Sequence, residues 1–243
     1  MDLEGRTAIV TGGGIRVGRA ISLALAEAGA KVFVHYNSSA GPAADVRDTI
    51  VAAGGEAAIG PGDLSDPAQA WSLVEAAESA LGQPSILVNS ASGFALDTAR
   101  DVTVEGLRAS LAVTLEAPVM LTRALAQAIG SGGEGAVVNI TDARTLAPYR
   151  EHLSYLVAKG GIDTFTRAAA LSLAPNIRVN AVALGVILPP KTEDDDYAMR
   201  LAETLPLGRV GGTEVVADTV LFLCRNDFIT GEIVRVDGGG HLL

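Results

Sequence analysis

The segment Thr7-Ala8-Ile9-Val10-Thr11-Gly12-Gly13-Gly14-Ile15-Arg16-Val17-Gly18 carries a short β-branched run into glycines and then into a helical pattern over 17–29. Glycines between a strand and a helix let the backbone approach a pyrophosphate. The helix start adds unpaired N–H groups and the positive end of its dipole. The strict Gly-x-Gly-x-x-Gly spacing is not met, because position 17 is Val. A plain tight turn is therefore the competing reading. The place of the segment, directly after the first strand, favours a nucleotide site.

The remaining chain repeats the same alternation. Strand-like runs are Thr7 to Thr11, Lys31 to His35, Ala57 to Gly60, Ile86 to Asn89, Ala136 to Thr141, Ile177 to Ala183 and Ile233 to Val236. Helical patterns fall at 17–29, 42–53, 66–81, 102–129, 153–174 and 214–225. Strand and helix repeated this often predict an α/β fold, a doubly wound parallel sheet with helices on both faces. With 243 residues and no linker or low-complexity run, one domain over 1–243 is expected.

Composition narrows the function. A formal net charge of -10 argues against a nucleic-acid backbone or an anionic membrane surface as partner. The single cysteine, Cys224, cannot form an internal disulfide and reads as a small core residue, which fits a cytoplasmic protein. Met1-Asp2-Leu3-Glu4 has no basic region or long apolar run, so no signal peptide is expected. No stretch reaches the ~18 consecutive apolar residues of a membrane span. His35, His152 and His241 are scattered and form no metal set. Glu193-Asp194-Asp195-Asp196 reads as a solvated face at the start of a short substrate lid near 187–206.

Tyr155 and Lys159 lie four apart, hence on one face of a helix. An ammonium beside a phenol favours the phenolate, so the spacing predicts a Tyr155 pKa below the usual ~10. Such a phenol can act as a general acid/base. Alone the pattern is weak, because any amphipathic helix can carry it.

Thr11-Gly12-x-x-x-Arg16-x-Gly18, Asn89-Ser90-Ala91, Tyr155-x-x-x-Lys159 and Asp237-Gly238-Gly239 resemble, in order and interval, the motifs of the short-chain dehydrogenase/reductase family. The resemblance covers about residues 5 to 240. It implies a Rossmann-type sheet of seven strands, a nicotinamide dinucleotide and hydride transfer. It also implies Tyr155 as proton donor, Lys159 on the nicotinamide ribose and Asn89 as a cofactor-positioning residue. Further cofactor contacts are implied at Gly12, Arg16, Val17, Gly18, Asp63, Leu64, Ser90, Ala91, Gly185 and Val186. The resemblance further implies a homotetramer built partly from the helices 102–129 and 153–174. Those helices carry more than one apolar stripe: Leu111, Val113, Leu115, Val119, Met120 and Leu121 on one, Phe165, Ala168, Ala169, Leu171 and Leu173 on the other.

The departures from the family pattern narrow it further. Arg16 stands where a third glycine is common, Asp142 where Ser precedes the Tyr by thirteen residues, Thr114 where Asn is common, and Leu184-Gly185 where Pro-Gly is common. Arg16, Asp142, His35-Tyr36-Asn37-Ser38-Ser39 and Asn89-Ser90-Ala91-Ser92-Gly93-Phe94 resemble the pteridine reductase branch. That branch generally keeps Asn where this chain has Thr114. The resemblance implies substrate contacts at Arg16, Ser92, Phe94, Asp142 and Tyr155, with Phe94 stacking on the pterin. Each has a plainer alternative: Phe94 as core, Asp142 as a solvated loop acid, Arg16 as a surface charge.

An NAD site usually presents an acid to the ribose about twenty residues after the glycine loop. His35, Tyr36, Asn37, Ser38 and Ser39 carry none, so NADPH is expected over NADH. The leading expectation is an NADPH-dependent reductase of dihydropterins or dihydrofolate. The alternatives are a carbonyl reductase of a 3-oxoacyl thioester or small ketone, and a non-catalytic NADP-binding regulator.

Overall fold

The computed structural model describes residues 1–188 and 195–243. Seven strands are β1 (Thr7–Val10), β2 (Lys31–Tyr36), β3 (Ala57–Pro61), β4 (Pro84–Asn89), β5 (Gly135–Asp142), β6 (Ile177–Leu184) and β7 (Ile233–Val236). They form one parallel sheet in the order β3-β2-β1-β4-β5-β6-β7. The helices are α1 (Arg16–Glu27), α2 (Ala40–Ala52), α3 (Pro67–Leu81), α4 (Val104–Leu111), α5 (Ala117–Ile129), α6 (Leu153–Leu173), α7 (Asp195–Glu203) and α8 (Thr213–Arg225).

The period-2 alternation of a strand sends neighbouring side chains to opposite faces. Ala8, Val10, Val32, Val34, Ile86 and Val88 join one core, where Ile21 and Leu25 of α1, Val46 of α2 and Val220 of α8 pack. Ile9, Phe33, Leu87 and Val137 join the other core, against Leu73 and Val74 of α3, Leu121 and Leu125 of α5 and Ala169 of α6. Both faces being covered explains why the strands read as apolar runs rather than alternating ones. Cys224 is fully buried in the first core, and that burial pushes its thiol up to about 12. The strand order reverses between β1 and β4, so a crevice opens at their carboxyl ends.

The helical pattern over 102–129 is not one helix. A π-helical turn over Ala112–Glu116 separates α4 from α5. By length and composition Val104–Ile129 would be apolar enough to cross a membrane. Its apolar side chains have another destination: α5 packs on α3, β4 and β5 and contributes Ala117, Leu121, Ala124 and Leu125 to the core. Of the predicted lid, α7 lies among the described residues, whereas Glu193 and Asp194 lie outside them.

Candidate active site

A cleft of about 490 Å³ opens at the carboxyl ends of the strands. The glycine loop, the segment after β2, the segment after β4, Val113 of the π-helical turn and the Tyr155/Lys159 face of α6 line it. The sheet topology thus brings together residues more than 140 positions apart in the sequence, such as Gly12 and Tyr155.

The glycine loop is shaped by contacts that admit no side chain. Gly12 has φ +63, and a Cβ at Gly18 would lie 2.2 Å from the Gly12 carbonyl oxygen. The start of α1 therefore presses directly on the loop, a close approach suited to presenting helix N–H groups to a phosphate. Arg16 also has positive φ, at 50. For a residue with a Cβ this left-handed conformation costs on the order of 1–2 kcal/mol. It is the same position at which the wider family commonly carries glycine. The backbone there takes the left-handed conformation that glycine favours, and Arg16 is part of the cleft lining.

Of the predicted cofactor contacts, Gly12, Arg16, Val17, Gly18, His35, Tyr36, Asn37, Ser38, Ser90, Ala91, Tyr155 and Lys159 line the cleft. Asp63, Leu64, Asn89, Gly185 and Val186 are not part of that lining. The Asp63 carboxylate accepts from Ser65 N–H and Oγ, which holds its pKa below the usual carboxylate range. Leu64 is core. Asn89 donates to Asn139 Oδ1 at 2.8 Å, and its own buried Oδ1 has no partner among the described residues. Gly185 is held by contact with Asp237, whose Cα a Cβ would meet at 2.5 Å. His35 lines the cleft from a buried position. It is 1% exposed, and both ring nitrogens are engaged by the backbone of Gly12 and Gly62.

Asp142 is the last residue of β5 and 7% exposed, which rules out a solvated loop acid. Its Oδ1 accepts the Arg144 N–H at 2.8 Å, and its Oδ2 accepts the Tyr155 hydroxyl at 2.8 Å. Desolvation raises the Asp142 pKa against the lowering pull of these donors and of the Lys159 and Arg144 charges. Thr141 and Thr145 on either side both donate to the Asp163 carboxylate, each at 2.7 Å, which fixes the turn carrying Asp142 onto α6.

The expected depression of the Tyr155 pKa is reversed. Burial raises it well above 10, and the Asp142 charge and hydrogen bond add to the rise. Lys159 does stand over the same ring, Nζ 5.6 Å from the centroid, but it donates to the Ile140 carbonyl at 2.6 Å. Desolvation lowers the Lys159 pKa to about 8, offset partly by Asp142 and Asp163. The spacing placed both side chains on one face of α6, and there Lys159 stands over the Tyr155 ring. It could not show that burial first, and then a neighbouring carboxylate, would raise the phenol pKa.

Phe94 is 54% exposed, so it is not core. Its ring meets Tyr155 edge-on at 4.9 Å and stacks on His152 at 3.7 Å. Ser92 Oγ lies 3.2 Å from Thr114 Oγ1, buried in the π-helical turn. The segment after β4 is tied to the start of α6 by residues the sequence reading missed. Asp97 accepts Ser154 N–H at 3.0 Å and, through a short contact, the Ser154 hydroxyl. The Asp97 carbonyl accepts Leu153 N–H at 3.2 Å, and the Ala95 carbonyl lies 2.7 Å from His152 Nδ1. Asp97 therefore caps α6 from a distant segment. No local capping pattern announces it, because His152 at the cap position contributes no side-chain cap bond. Tyr149 was also missed; its pKa is pushed up to about 12 by burial first and then by the Asp142 charge. Among the described residues no group of three or more His, Cys, Asp or Glu is placed to hold a metal.

The fold and this cleft define a dinucleotide-binding α/β oxidoreductase architecture. A family model described as "Enoyl-(Acyl carrier protein) reductase" matches residues 14–241. The chain belongs to the short-chain dehydrogenase/reductase family. An uncharacterized oxidoreductase of Methylorubrum extorquens is 35% identical, with 98% of each chain covered. The L-xylulose reductase of Bos taurus is 35% identical over 98% of this chain and 97% of its own. Among solved structures, the FolM alternative dihydrofolate reductase 1 from Brucella canis, complexed with NADP, is 33% identical with a TM-score of 0.95. That likeness covers 100% of this chain and 96% of the other.

Proposed function

We propose that the protein is an NADPH-dependent reductase of pteridine type, acting on a dihydropterin or dihydrofolate. The observation that carries this reading is the 2.8 Å hydrogen bond from Tyr155 to the buried Asp142, beside an exposed Phe94 face. The FolM likeness supports it. The residues present fit a dinucleotide: a glycine loop pressed against a helix start, then a polar, acid-free segment after β2, then Lys159 at the far end of the cleft. Tyr36, Asn37 and Ser38 offer a 2′-phosphate hydroxyl and amide partners without a repelling carboxylate, and Arg16 supplies charge at the same rim.

The bound cofactor supplies the hydride. Tyr155, held protonated at neutral pH, donates its proton to a ring nitrogen of the substrate. Asp142 accepts the Tyr155 hydroxyl and so stabilises the protonated phenol. After Tyr155 has given up its proton, a proton taken from solvent passes by way of Asp142, whose pKa desolvation raises, back to the phenolate oxygen. Lys159 keeps a positive charge close to Asp142 and over the Tyr155 ring. A carboxylate so placed opposes an alkoxide developing from a ketone, but it accepts from the amino and ring N–H groups of a pterin. Phe94 and Ser92 face the heterocycle, and Arg16 meets its carbonyl or the pyrophosphate. Of the proposed lid near 187–206, α7 is the described part that would cover the bound substrate. The half-buried Leu115 and Val119 and the exposed Leu171 suit a helix-mediated homotetramer in the cytoplasm.

The L-xylulose reductase likeness favours a second reading, reduction of a carbonyl. The test is NADPH oxidation with dihydrobiopterin, dihydrofolate and an acetoacetyl thioester side by side. Turnover of a pterin or folate supports the first reading; turnover of the thioester alone supports the second.

A further inference from the structure

Gly12, Gly13 and Gly62 all converge on one buried residue, His35. The Gly12 N–H points at His35 Nδ1 at 3.2 Å. The Gly62 carbonyl lies 3.0 Å from His35 Nε2. The Gly13 N–H donates to the His35 backbone carbonyl at 3.1 Å. A backbone N–H can only donate and a carbonyl can only accept, so one neutral tautomer satisfies both contacts: bare Nδ1, protonated Nε2. The ring thus spans the carboxyl ends of β1, β2 and β3, and Gly12 in turn abuts the start of α1 through Gly18.

We propose that His35 is a positioning residue for the dinucleotide: its Nε2–H tautomer braces Gly12 and so aims the glycine loop and the first turn of α1 at the pyrophosphate. The inference rests on the cofactor reading above. With the Gly12 and Gly13 amides committed to His35, the donors left for phosphate are the later amides of the loop. A second proton on the ring would set a hydrogen against the Gly12 N–H and release the loop. Burial opposes that proton, since it lowers the His35 pKa despite the contrary pull of the Gly62 carbonyl.

The brace predicts different outcomes for two amide replacements. In His35→Asn the side-chain oxygen falls near the place of Nδ1 and still accepts from Gly12. In His35→Gln the amide reaches the place of Nε2 and leaves Gly12 without its partner. NADPH dissociation constants, measured by cofactor fluorescence in the binary complex, are expected to rise about tenfold in His35→Gln, the equilibrium effect of one net hydrogen bond. His35→Asn is expected to recover most of that loss. The KM for the second substrate at saturating NADPH should stay unchanged in both. Equal NADPH affinity in wild type and His35→Gln overturns the brace. A wild type that binds no NADPH overturns the cofactor reading instead. Nitrogen NMR of histidine-labelled wild type needs no variant to fold: a ring protonated on Nδ1 overturns the proposal, and one protonated on Nε2 alone supports it.

Discussion

Replacing Tyr155 by Phe removes one oxygen and keeps the ring, and its consequences separate chemistry from stability. The lost hydrogen bond runs 2.8 Å to a carboxylate oxygen of Asp142. A hydrogen bond to a charged group contributes about 1.5–3 kcal/mol. In a chain of this size each kcal/mol moves Tm by about 2–4 °C, so a fall of roughly 3–12 °C is the expected range. Asp142 keeps its Arg144 N–H partner, which limits the damage. The Phe94 edge contact at 4.9 Å involves the ring and survives. Loss of the general acid is larger, ~10²–10⁴ in rate, or about 2.7–5.4 kcal/mol at 1.36 kcal/mol per tenfold. NADPH affinity should change little, because the glycine loop is untouched. Steady-state rates on the best substrate, NADPH titration and a thermal melt give the three readouts. A variant that keeps more than about a tenth of the wild-type rate refutes Tyr155 as the proton donor.

Asp142→Asn removes the charge that adds to the rise of the Tyr155 pKa, so the phenol should ionise at lower pH than in wild type. The alkaline limb of the kcat/KM profile then moves to lower pH; an unmoved limb would separate the two residues functionally. Arg16→Gly exchanges a left-handed strain of about 1–2 kcal/mol for a glycine entropy cost of about 0.5–1 kcal/mol. Urea unfolding should therefore show stability within roughly 1 kcal/mol of wild type, while KM for NADPH or substrate rises; wild-type values for both would remove Arg16 from the site. Asp97→Ala uncouples the Ser92–Phe94 segment from the start of α6. Substrate KM should rise and kcat fall with NADPH affinity intact, and Asp97→Asn should rescue part of the loss. Equal damage to NADPH binding would mean a general structural role.

How much of this was legible in the sequence differs by residue. The alternation of apolar runs and helical patterns determined the parallel, doubly wound sheet, because a strand buried on both faces must be apolar throughout. The glycine loop after β1, the Tyr155/Lys159 spacing and the place of Asp142 before Tyr155 were also readable, since short spacing on one element fixes relative position. What depends on distant segments was not. A helical period cannot reveal that the turn at Thr114 widens to a π-helix, or that an apolar helix packs on α3 rather than in lipid. Asp97 reached Ser154 only through the tertiary fold. The sign of the Tyr155 shift was decided the same way: sequence showed the ammonium four residues on, while burial and the Asp142 carboxylate came from β5. His35 shows the division most clearly. Its place near the end of β2 suggested a cofactor neighbour, but only the packing of three strand ends brought its two nitrogens to the backbone of Gly12 and Gly62.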